Sequence, residues 1–129
     1  MIAVTDVEKS SAWYCVLLGA ASGHGGPEYE QLLVDGELIL QLHKLEAGHH
    51  HGTIGDPQLP LGNGFALWFE VDSLEPVAAR AHSAGFTIQT DVHHNPNADH
   101  QELWLRDPDN YLVVLSDPAP DSSADPAIA

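Results

Sequence analysis

The chain has 129 residues, the length of one domain or of two small repeated modules sharing one sheet, and 43% of them are apolar. That share is close to the globular norm of roughly 45–50%, which excludes wholesale disorder. Only 4 lysines and arginines face 19 acids, giving −15 at pH 7. Nucleic acid and anionic membrane, which are held by clustered lysine and arginine, are therefore not expected as partners.

Cys15 is the single cysteine, so an internal disulfide is impossible, as suits a reducing compartment. No apolar run approaches the roughly 18 residues of a spanning helix, and the basic-then-apolar pattern of a signal peptide is missing. A soluble, cytoplasmic protein is the expectation. The nine histidines make its charge depend on pH below about 6.5.

Residues 1–5 read as a short strand. Thr5 and Glu8 have capping-box spacing, with Asp6 as a competing cap. The helix that follows, over 10–18, carries Ala12, Trp13, Val16 and Leu17 on one face and stops at Gly19. After a small, glycine-rich stretch over 20–26, a loop with at most a short strand, strands 28–34 and 37–43 flank Asp35-Gly36, a strong hairpin signal. Residues 44–64 form a long connection containing His49-His50-His51, of a length that is usually functional or disordered.

A second cycle begins at 65–71 with a strand. Asp72 and Glu75 repeat the capping pattern, Leu74, Val77, Ala78 and Ala81 make a helical stripe, and Gly85 closes it. A strand over 86–90, a polar loop over 91–99, a strand over 100–106, an Asp107-Pro108-Asp109-Asn110 turn and a closing strand over 111–115 complete the series. Beyond Ser116 the composition falls to Asp, Pro, Ser and Ala, so 117–129 is expected to be a disordered tail. Strand, helix, strand and hairpin thus occur twice, about 60 residues apart. The expected fold is α+β: two βαβββ modules forming a cup-shaped open sheet. One domain would span 1–116, with module one at 1–44, a connection at 45–64 and module two at 65–116.

Two segments carry a resemblance. Val4-Thr5-Asp6-Val7-Glu8, followed by Trp13-Tyr14 and Leu17-Leu18-Gly19, resembles the first helix of the vicinal oxygen chelate superfamily, which includes glyoxalase I, bleomycin-resistance proteins and extradiol dioxygenases. Arg106-Asp107-Pro108-Asp109-Asn110-Tyr111 resembles its closing hairpin, with Asn110 in place of the usual glycine; asparagine tolerates left-handed backbone. The resemblance implies paired modules over about residues 1–116 and, as a common option, a homodimer. In the family's enzymes it also implies a divalent metal held by histidine or glutamate from the first and last strands of each module. Carried over, the first position falls at or before Met1, and the others at Gln41, Ala66 and Val114. Gln41 is a weak neutral oxygen ligand and the last two are inert, so the implied branch is the metal-free, bleomycin-binding one.

Strand alternation gives an inventory of the face away from the helices. Leu38, Leu40 and Leu42 suit the helix side, leaving Ile39, Gln41 and His43; Phe65, Leu67, Phe69 and Val71 leave Ala66, Trp68 and Glu70; Leu103 and Leu105 leave His100, Glu102 and Trp104. The family register adds Leu112 and Val114. Aromatic walls with a few convergent polar groups suit a small molecule, with Gln41, His43, Trp68, Glu70 and Trp104 as contacts. His100 and Glu102 could act as an acid/base pair if burial raised the glutamate's pKa. The bland alternatives are tryptophans that merely fill the interior and a His43, Glu70, His100 and Glu102 that merely face solvent. His24, His82, His93 and His94 are read as surface residues.

Two functions compete. The first is a small-molecule-binding protein, its acidity favouring neutral or cationic ligands. The second is a lyase or dioxygenase-like enzyme with a displaced metal site on His43, His100 and Glu102, with His50 or His51 as a fourth ligand. Such a set suits zinc, iron, nickel or manganese.

Overall fold

The computed structural model describes residues 1–46 and 52–118. Among these lie eight strands and two helices in two compact units, the first drawn from Met1–Asn63 with Asp107–Asn110, the second from Gly64–Arg106 and Tyr111–Pro118.

The first unit holds β1 (Ile2–Val4), α1 (Val7–Leu18), β2 (Ala21–His24), β3 (Tyr29–Val34) and β4 (Glu37–Lys44), in sheet order β1-β4-β3-β2 with β1 parallel to β4. Asp35 and Gly36 both have positive φ, 52° and 79°, as the tight turn between twisted strands requires. Asp6, not Thr5, caps α1: its carboxylate accepts the Lys9 N–H at 3.0 Å. Thr5 N–H donates instead to Asp109, at 2.9 Å. The buried stripe is also rotated from the expected one, comprising Val7, Ser10, Ser11, Trp13, Tyr14 and Leu17, while Ala12 and Val16 face outward. Polar partners account for this. Ser11 Oγ donates to buried Glu30 (2.9 Å) and Tyr14 to Asp107 (2.6 Å), and these bonds turn the hydroxyl-bearing face inward. Leu40 and Leu42 are buried as expected, but Leu38 is 47% exposed because a register shift at Leu32/Leu33 takes it out of phase.

The second unit repeats the plan with β5 (Ala66–Glu70), α2 (Leu74–Ala84), β6 (Thr87–Asn95), β7 (His100–Arg106) and β8 (Leu112–Pro118), in the order β5-β8-β7-β6 with β5 parallel to β8. Leu74, Val77 and Ala81 of the helix, and Leu103, Leu105, Val113 and Leu115 of the sheet, are buried. Gly85 ends α2 in left-handed conformation, its N–H on the His82 carbonyl.

Four expectations need correction here. The N-cap is Ser73, which makes no side-chain bond; Asp117, arriving from β8, accepts the Leu74 N–H at 2.8 Å. The polar stretch from Asp91 is not a loop until after Asn95, because His93, His94 and Asn95 pair with Glu102, Gln101 and His100. The last strand likewise continues past Leu115, since β7 is long enough to pair with Asp117 and Pro118. Phe65, expected on the helix side, is 47% exposed and lies against the Tyr111 ring. No described helix is long and apolar enough to cross a membrane.

Candidate functional site

On β7, Leu103 and Leu105 are fully buried on the α2 side, so His100, Glu102 and Trp104 point to the opposite face of the sheet. Register extends that face sideways. Glu102 lies opposite Ser116 and, beyond it, Glu70; Trp104 lies opposite Val114 and, beyond it, Trp68. The β6 neighbours of Glu102 and His100 are His93 and Asn95.

Glu102 is the hub. It is 1% exposed, yet every donor it needs is present. Oε2 accepts from Asn95 Nδ2 at 2.8 Å and from His100 Nε2 at 2.6 Å, and Oε1 accepts from Trp104 Nε1 at 2.8 Å. His93 Nε2 stands 3.9 Å from Oε1. Burial pushes the Glu102 carboxyl up, but the bonds from Asn95, Trp104 and His100, with the charge His100 can carry, hold it below the usual glutamate range. The direction is the reverse of that expected from burial alone. Glu102 is thus a fixed carboxylate that orients its neighbours, and it has no proton to give near neutral pH.

Trp68 stands beside this hub. Its indole N–H donates to Ser116 Oγ at 3.0 Å, its ring lies 5.8 Å from that of His100, and the residue is 51% exposed. A tethered, half-open indole next to a satisfied polar cluster offers a stacking surface of fixed orientation. Exposed Glu70 follows two residues later on the same face.

Trp68, His100, Glu102 and Trp104 are therefore brought together. Asn95, His93 and Ser116 are members that sequence reasoning missed. Alternation across the histidine pair up to Asn95 was the available signal, masked by the turn chemistry of Asn95-Pro96-Asn97. Gln41 and His43 belong to the first unit, with partners of their own: Tyr29 donates its hydroxyl hydrogen to Gln41 Oε1, and His43 is buried with Nδ1 donating to the Lys44 carbonyl at 2.9 Å. His82 and His94 pair with exposed Asp91 and Asp99, both at 3.1 Å, and His24 is exposed beside Tyr29. His49, His50 and His51 lie outside the described residues.

The positions to which the resemblance carries a metal do not fit one. The Gln41 oxygen is engaged by Tyr29, and Ala66 and Val114 have no donor atom to offer. Among the described residues, no group of three or more His, Cys, Asp or Glu side chains is arranged to hold a metal ion.

The sequence profile of the Glyoxalase/Bleomycin resistance protein/Dioxygenase superfamily matches residues 1–115. No curated protein matches the sequence. Among solved structures, TioX from Micromonospora sp. ML1 is similar at 14% identity and a TM-score of 0.70, covering 90% of this chain and 93% of its own. Lactoylglutathione lyase from Agrobacterium tumefaciens is similar at 14% identity and 0.68, covering 90% and 88%. FosX, the fosfomycin resistance protein from Listeria monocytogenes, gives 14% and 0.65, covering 90% and 87%. At these identities the likeness is one of fold.

Proposed function

The chain belongs to the Glyoxalase/Bleomycin resistance protein/Dioxygenase superfamily, and on that footing we propose that it is a small-molecule-binding member working without the family's usual metal. The ligand would lie on the face of the second sheet, across Trp68 and Trp104, with His100 and Glu70 as its polar contacts. One observation carries the reading: a buried carboxylate, Glu102, immobilises His100 and Trp104 beside a half-exposed indole. Isolated surface residues are not fixed at such cost in buried charge unless the neighbours gain a defined orientation, and defined polar groups beside apolar walls are the makings of a ligand site.

The net charge of −15 favours neutral or cationic ligands over phosphorylated or carboxylate-rich ones. Neither the lyase activity of the Agrobacterium protein nor the resistance function of FosX is carried to this chain by a shared fold. The test is a calorimetric screen of aromatic and cationic compounds, run with and without chelator, with metal content measured on untagged protein. Chelator-insensitive binding that Trp68→Ala abolishes supports the reading. A stoichiometric transition metal, required for binding or turnover, would overturn it in favour of a metal-dependent enzyme.

A further inference from the structure

The hub has an asymmetry that specifies the ligand further. His100 gives its Nε2 to Glu102 at 2.6 Å. A carboxylate only accepts, so Nε2 carries the hydrogen, and in the neutral ring Nδ1 is then a bare acceptor. Among the described residues Nδ1 has no hydrogen-bond partner. The ring cannot easily turn away, because Trp68 flanks it at 5.8 Å and Glu102 is itself locked by Asn95 and Trp104. A side chain 21% exposed thus carries one acceptor without a protein partner beside an open indole face.

We propose that His100 Nδ1 is the atom that reads the ligand, accepting an N–H hydrogen from an ammonium group carried on an aromatic body. Glu102 is the positioning residue, selecting the tautomer. The indole of Trp68 receives the aromatic body and stabilises the cation, and the exposed Glu70 carboxylate on the same face adds to the attraction. The assignment rests on the binding site proposed above and narrows its ligand to protonated amines that keep at least one N–H.

Long-range proton–nitrogen NMR of the full chain at alkaline pH, where the ring is neutral, reads the tautomer directly. A protonated Nε2 with a bare Nδ1 is expected; hydrogen on Nδ1 would overturn the proposal without any variant having to fold. The ligand side is tested with 2-phenylethylamine and its N,N,N-trimethyl form, which keeps ring and charge but has no N–H. The amine should bind the wild-type protein about tenfold or more tightly than the trimethyl form. His100→Phe, which keeps a ring against Trp68, should erase the amine's advantage, bringing the ratio of the two affinities to about one. Equal binding of the two probes, or equal loss of both in His100→Phe, would overturn the acceptor role while leaving the binding site standing. Failure of both probes to bind the wild-type protein would overturn both.

Discussion

Tyr14, fully buried on α1, donates its hydroxyl hydrogen to Asp107, 2.6 Å away and 93 residues on in the chain. The turn that follows β7 thereby belongs to the first unit, anchored also by the bond from Thr5 N–H to Asp109. Tyr14→Phe keeps the ring and its edge-on contact with Trp13 but deprives a buried carboxylate of a donor. A loss of about 1–3 kcal/mol in denaturant unfolding is expected. A change within about 0.5 kcal/mol would mean that the bond adds nothing to stability.

The cap of α2 gives a comparison between two residues. Ser73 stands at the N-cap position without making a cap bond, whereas Asp117 makes it from β8. Asp117→Ala should therefore cost about 1 kcal/mol, and Ser73→Ala much less. The opposite ranking would show that the helix start depends on its local residue after all.

Glu102→Gln is isosteric but not neutral. The amide replaces one accepting oxygen with an NH2 group that must face the donors of Asn95, His100 or Trp104. A loss of about 1–3 kcal/mol is expected at pH 7.

The same substitution reads out the titration of Glu102. Its carboxyl is held low in the folded protein, so the stabilisation from its charge is complete above the unfolded value of about 4.3 and is lost as pH falls through the lower folded value. The stability gap between wild type and Glu102→Gln should close as pH falls below about 4. A gap that persists undiminished at about pH 2 would contradict the role of the charge.

The two tryptophans should separate stability from binding. Trp68 is half exposed, so Trp68→Ala should leave the melting temperature nearly unchanged while removing aromatic ligands by tenfold or more, on the order of 1.4 kcal/mol. Trp104→Phe removes a donor from buried Glu102 and should lower both stability and affinity. Equal effects of the two substitutions on melting would show that Trp68 is a structural residue.

Features whose cause is local could be read from the sequence. Asp35-Gly36 demands a tight turn, Gly19 and Gly85 end helices, and the alternation from His100 to Arg106 puts Glu102 and Trp104 on one side; each follows from the backbone or side-chain preferences of neighbouring residues. Features set by distant partners could not. Asp6 outcompetes Thr5 partly because Asp109 occupies the Thr5 N–H, and Ser73 goes unused because Asp117 reaches α2 first. The rotated stripe of α1 follows Glu30 and Asp107 rather than apolar count. At the site, Asn95 was hidden because β6 owes its length to pairing with β7, while Asn-Pro-Asn signals a turn. The ionisation of Glu102 was hidden too, since burial alone argues the other way.

The segment Asp107–Asn110 has a further consequence during synthesis. The first unit leaves the ribosome before the second, but its inventory of partners is incomplete until residue 109 has been made, more than 40 residues after Asn63. With elongation at roughly 5–20 residues per second, the nascent unit spends seconds with the Tyr14 hydroxyl and the Thr5 N–H lacking their final acceptors. A chain cut after Asn63 would remain in that state permanently. Thr5 and Tyr14 find their acceptors only on the turn between β7 and β8, so a chain that stops short of that turn lacks two bonds of the first unit.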